Sequence, residues 1–226
     1  MTENSPQGII SQEVFDEFAA NWLTVVSNNS ELNDSFVSPA GGKLLSVSFT
    51  MEQIQQLVSV VGAHFIMSRF LVTSDASKFT LTLFATDAER NKLSSFYIAG
   101  NTGETPTLPG AEVPDVLAEK WLNSWEQAGA VTSDMFTSCI PGAPLKGYTF
   151  DVSDFLALFY GLPKIEGENL LVHFGLHEYY NVVDGADKLT KTFGLVLRRS
   201  GEGGSEDPYY DMSSPCPPIC WPPLKG

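Results

Sequence analysis

One pattern is written twice in this chain, 101 positions apart, and it restricts the available folds more than any other feature. Leu44, Val47, Phe49 and Thr50 correspond to Leu145, Tyr148, Phe150 and Asp151. Beyond them, Ile54, Leu57, Val58 and Val61 correspond to Phe155, Leu158, Phe159 and Leu162. Each copy reads as a short alternating strand that runs through a Phe into a helix-capping residue, with apolar residues then falling on one helical face. Thr50-x-x-Gln53 also carries the reciprocal capping-box pattern. An earlier echo, at an offset of 99, aligns Phe18-Ala19-x-x-Trp22-Leu23 with Leu117-Ala118-x-x-Trp121-Leu122. The pattern predicts an internal repeat. Two copies are too few for a solenoid but suffice for a pseudo-twofold pair, in which each copy covers the apolar face or the open edge of the other.

The remaining elements follow the same order in each copy. In the first, Ser11 as N-cap and Glu13 in the first turn open a helix with Phe15, Phe18, Ala19, Trp22, Leu23 and Val26 at helical spacing. Gly62 ends the second helix, and residues 63–72 and 79–85 read as strands around a turn at 74–78, with a third strand near 93–99. In the second copy Pro114 suits a first helical position, and strands at 169–182 and 190–198 flank a turn at 183–187. The expected fold is α+β: two tandem helix, strand, helix and hairpin units, with antiparallel sheets covered by helices on one face. The boundaries divide the chain into a disordered N-terminus (1–10), a first unit (11–99), a Gly/Pro/Thr-rich linker (100–113), a second unit (114–199) and a Gly/Pro-rich C-terminal tail (200–226).

Charge excludes one class of partner. The 226 residues carry 13 basic and 27 acidic side chains, a formal net charge of -14. The excess divides evenly, with five basic against twelve acidic residues through Val113 and eight against fifteen after it. No basic face is left to neutralise phosphates, so no nucleic-acid partner is expected. No stretch approaches the ~18 consecutive apolar residues of a membrane helix, so no membrane partner is expected either. The N-terminus has neither a basic residue nor an apolar run of secretory length, and three cysteines fit a reducing compartment; both point to the cytoplasm.

Few residues offer chemistry. His173 and His177 have the i, i+4 spacing of helical metal ligands, but they fall in a strand, where four residues span about 13 Å. They read instead as part of the polar face of that strand, together with Tyr179, and His64 has no nearby partner. There is no Gly-x-Ser-x-Gly, and the Gly-rich stretch 200–205 lacks the Lys of a phosphate loop. The carboxylate pairs Glu166/Glu168, Asp184/Asp187 and Asp87/Glu89 all fall in turns, where solvated acids are expected. Arg69 stands out because it interrupts an apolar strand, in step with Phe65, Met67 and Leu71. If that face is buried, Arg69 needs a carboxylate such as Asp87 across the hairpin, as a structural ion pair or as a ligand-binding pair.

The tail is the least generic segment. Five prolines between Pro215 and Pro223 bias it toward an extended polyproline II path. Along such a path Cys216 and Cys220 lie about 12 Å apart, whereas a disulfide needs Cα atoms about 4.4–6.8 Å apart. A bridge therefore requires a turn or a cis proline at Pro217 or Pro218. A zinc site would need four ligands, with only Cys139 and the histidines left to complete it. Tyr209, Tyr210 and Trp221 supply apolar surface suited to recognition.

The run from Phe49 to Leu57, the strand that ends in Arg69-Phe70, the Asp87 to Asn91 turn and Cys216-Pro-Pro-Ile-Cys220 together resemble a family of small uncharacterised bacterial proteins. Those chains pair a helix, strand and strand unit with a C-terminal Cys-Pro-Pro-x-Cys. This chain departs from them in lacking a Gly in the Asp-to-Asn turn and an Arg69 counterpart in its second unit. The resemblance implies a build and no activity. The expected function is a non-catalytic binding protein with a protein partner and no cofactor, its tail docking on its own domain or in a partner groove. The alternatives are a hydrolase or transferase with a cleft between the units, and a thiol or metal function of Cys216 and Cys220.

Overall fold

The computed structural model describes residues 8–75, 77–100, 115–138, 140, 142–162, 164–183, 186–200 and 214–216. In chain order the elements are β1 (Ile9–Ile10), α1 (Gln12–Val25), α2 (Asn29–Ser35), β2 (Ser46–Thr50), α3 (Met51–Val58), β3 (Phe65–Val72), β4 (Phe79–Thr86) and β5 (Phe96–Ile98). There follow α4 (Asp115–Gln127), a 3-10 turn (Ser133–Phe136), β6 (Gly147–Asp151), α5 (Val152–Ala157), β7 (Asn169–Val183), β8 (Ala186–Ser200) and β9 (Ser214–Cys216). The chain is α+β, and among the described residues its strands pair antiparallel.

The helix starts follow from their caps. Ser11 Oγ accepts from Val14 N at 3.3 Å to open α1. At α3, Thr50 Oγ1 accepts from Gln53 N at 3.3 Å while Thr50 N donates to Gln53 Oε1 at 2.9 Å. Asp151 and Asp154 form the same reciprocal box at α5. In both places a strand ends one residue before its helix begins, so β2 and β6 each hand the chain directly to a helix.

The pairing of these two strands sets the architecture. One sheet has the order β1-β5-β4-β3-β6-β9 and the other β2-β7-β8. Strand β6 lies against β3, from Phe65↔Asp151 to Arg69↔Gly147, and β2 lies against β7, from Ser46↔His173 to Thr50↔Asn169. Each hairpin thus takes its neighbouring strand from the other half of the chain. The sheets face each other across one core in which Phe70 meets Phe193 at 5.4 Å and Phe79 meets Phe174 at 5.5 Å between ring centroids. Outside the larger sheet, Phe15 of α1 stacks on Phe96 at 4.1 Å beside Met67, Leu71 and Phe84. Outside the smaller one, Ala118 and Leu122 of α4 pack on Val196, and Trp121 lies against Gly175. Each sheet therefore has a helix on one face, as expected, and the opposing sheet on its other.

Two buried indoles tie the halves together. Trp22 Nε1 donates to Leu145 O at 2.9 Å and Trp125 Nε1 donates to Leu44 O at 3.0 Å. The sequence echo aligns Trp22 with Trp121, but the α4 indole that bonds across to the first half is that of Trp125. Trp121 is on the same helix face one turn earlier, where it covers the outside of β7 and leaves the interior to Trp125.

Within the segment expected to be disordered, Ile9–Ile10 pair with Phe96 and Tyr97 as β1, while residues 1–7 lie outside the described residues, as do residues 101–113 of the expected linker and Pro114. Part of the tail is likewise a strand: β9 pairs along β6 through Gly147↔Cys216, Tyr148↔Pro215 and Thr149↔Ser214. Gly147 has φ +146°, and a Cβ there would stand 2.1 Å from Ser68 O, so a side chain is excluded where β6 passes Ser68 of β3. Among the described residues no helix is long and apolar enough to cross a membrane.

Candidate functional site

Arg69 projects from the helix-covered face of β3, in step with Met67 and Leu71, between Thr82 of β4 and Gly147 of β6. Burial pushes its guanidinium down to about 10, so it keeps its charge at neutral pH. The suggested pairing with Asp87 is not made. Asp87 lies five positions beyond Thr82, about 16 Å along the strand at 3.3 Å per residue. There it accepts from Asn91 N at 2.7 Å and from Asn91 Nδ2 at 2.9 Å, closing a local turn. The Asn91 side-chain amide holds the Asp87 carboxyl below the usual carboxylate range. The alternating pattern does place Arg69 on a buried face; what it cannot show is that Asp87 is spent on its own loop.

The register brings Arg69 level with a different candidate. Thr82, Arg69, Gly147 and Cys216 form one row across β4, β3, β6 and β9, so the Arg69 and Cys216 backbones lie two strands, about 10 Å, apart. Cys220, Tyr209, Tyr210 and Trp221 lie outside the described residues, as does Cys139. Glu166 and Glu168 sit at the turn before β7, where Glu168 O accepts from Met51 N at 3.0 Å, and Asp184 is outside the described residues. Among the described residues no group of three or more His, Cys, Asp or Glu side chains is placed to hold a metal ion.

The histidines depart most from expectation. His173 and His177 share a face of β7, but it is the face under α4 and not a solvated one; the Tyr179 side chain lies outside the described residues. His177 stacks on Trp121 at 4.0 Å between centroids, with 22° between planes. The ladder with β8 runs unbroken from His173↔Val196 to His177↔Thr192, so no bulge brings the two rings onto one metal. His173 is fully buried, and neither ring nitrogen finds a hydrogen-bond partner among the described residues. Burial, followed by the charge of Arg198, pushes its imidazole down to about 4. His173 occupies in β7 the place that Arg69 has in β3: one lies beside Ser46 of β2, the other beside Gly147 of β6.

A buried neutral histidine makes the fold acid-labile. The unfolded chain takes up the proton near pH 6.5 and the folded chain only near 4, so the contribution is intact above pH 6.5 and is lost as pH falls toward 4. A shift of that size corresponds to about 3 kcal/mol at the acid end. Urea titrations between pH 7.5 and 4 should show this loss in the native sequence and a flatter profile in His173→Leu, which should be at least as stable at pH 7.5 because two unsatisfied nitrogens are removed. Parallel profiles for the two proteins would contradict the assignment.

Comparison with protein-family models, with curated proteins and with solved structures returns no match for this chain.

Proposed function

We propose that this chain is a non-catalytic binding protein for a protein partner, with its C-terminal segment as the docking element and its two halves as copies of one unit. The observation that carries the docking part is the pairing of β9 with β6: three tail residues add to a sheet edge through backbone hydrogen bonding, the mode by which extended peptides are recognised. An enzyme with a cleft between the halves has less support, since that space is filled by the aromatic core and Arg69 is far from Asp87 along its sheet.

The reading of two copies is supported by reciprocity. Trp22 reaches the strand-entry carbonyl of the second half and Trp125 that of the first. Phe70 N donates to Lys146 O at 3.0 Å, and Phe174 N donates to Leu45 O at 2.9 Å. Leu44 N and Leu145 N donate to Phe36 O and Phe136 O, each at 2.7 Å. Residues a hundred positions apart make the same bonds, the indole and strand bonds to the opposite half and the Leu44 and Leu145 bonds within their own.

Docking is tested by hydrogen exchange at Gly147 and Thr149, the β6 residues whose amides face β9. Trp221→Ala should speed exchange there more than the double change Cys216→Ser, Cys220→Ser, because an aromatic side chain supplies more buried area than two thiols. The reverse ranking, or a quantitative Cys216 to Cys220 disulfide in freshly purified protein by mass spectrometry, would contradict it and favour thiol chemistry.

A further inference from the structure

Strand β8 runs for 15 residues, and among the described residues no strand lies beyond it. An edge of that length is a template for unwanted pairing unless something covers it. The first half of the chain indicates what does. Residues of β2 and β6 correspond at an offset of 101, those of β3 and β7 at 104, and those of β4 and β8 at 114, so that Phe79, Leu81 and Leu83 answer to Phe193, Leu195 and Leu197. The outer edge of β4 is covered by β5 through Thr82↔Ile98 and Leu83↔Tyr97, and Ala99 N donates to Leu81 O at 2.9 Å. The chain then crosses to β2, where Gly100 and Ser48 exchange backbone bonds of 2.8 and 3.0 Å.

The second half departs from and arrives at the corresponding places. Thirteen residues separate Thr86 from Gly100, and thirteen separate Ser200 from Ser214. At the far end, Thr149 of β6, the counterpart of Ser48, pairs with Ser214, the counterpart of Gly100 at the β8 offset of 114. We infer that the outer edge of β8 at Leu195–Leu197 is a strand-acceptor surface whose occupant is the chain's own residues 211–213, the counterparts of Tyr97, Ile98 and Ala99. The occupant lies outside the described residues; the edge, the linking length and both endpoints are described. The inference rests on the reading of the halves as two copies. It gives the segment before β9 a structural address, and it predicts that β8 is closed to a second copy of the chain.

The edge amides that report occupancy are identifiable. Phe174 N points to β2, so along β8 the residues directly opposite His173 and Gly175, Val196 and Gly194, face β7, while Leu195 and Leu197 point outward. In the full chain, residue-resolved hydrogen exchange should find Leu195 and Leu197 protected to the level of Leu81 and Leu83. Ser213→Pro deletes the donor that corresponds to Ala99 N and should abolish that protection. Met212→Pro should retain it, because the corresponding Ile98 N points away from β4, to Gly8 O at 2.7 Å. Free exchange at Leu195 and Leu197 beside protected Leu81 and Leu83 would overturn the inference, as would protection that rises with protein concentration, which would make a second copy the occupant. The amides of Phe70 and Phe174, which bond across the halves, report the two-copy reading separately. Loss at Leu195 and Leu197 alone sinks only the edge assignment.

Discussion

Phe193→Ala is expected to lower the unfolding free energy by about 3–5 kcal/mol, the range for deleting a buried aromatic ring from a core that cannot collapse around the gap. Phe193 has no exposed surface, and its ring lies between 4.8 and 5.9 Å from six others: Phe136, Trp125, Phe174, Phe70, Phe36 and Phe79. These rings come from both sheets, from α4 and from the segments after α2 and α4, so no single element can shift to fill the space. Tyr160→Ala is the control: its side chain is 82% exposed, and its loss should cost no more than about 0.5 kcal/mol. Denaturant titration of the two variants measures both values. A Phe193→Ala cost below about 1 kcal/mol would mean that the sheets do not meet at this ring.

Local structure was legible in the sequence where periodicity or capping chemistry was strong. The strands around Phe70 and Phe174 and the caps at Ser11, Thr50 and Asp151 fall where the pattern puts them, within a few residues. Helix α2 escaped because six of its seven residues are polar and only Leu32 and Ser35 are buried, which leaves no apolar face to detect. Which strand pairs with which is not a local property. Nothing in Ser46–Thr50 says that its neighbour begins at Asn169, over a hundred residues away, since the alternation that fixes a strand's faces is silent about its edges.

The candidate site was legible only in part, for a related reason. Alternation put Arg69 on one face of β3, and the apolar residues in step with it marked that face as buried. The same logic fails for His173, because polar residues on alternate positions signal a solvated face, whereas α4 covers that side as well. Asp87 directly follows the strand across the hairpin from Arg69, but its turn absorbs its hydrogen-bonding capacity.

The two halves fold as one body by exchanging strands. Without residues beyond 113, β3 loses β6, Trp22 loses the Leu145 carbonyl, and the inward rings of Phe70 and Phe79 lose Phe174 and Phe193. A sheet of that size with one apolar face open to water cannot be stable as a monomer. The decisive measurement is the oligomeric state and amide dispersion of residues 1–113 expressed alone, by sedimentation and two-dimensional NMR, with and without added 114–226. The expected result is an unfolded chain, or a dimer that supplies the missing strand from a second copy, and a native-like spectrum when the fragments are combined. A monomeric 1–113 with a dispersed spectrum and cooperative unfolding would contradict it.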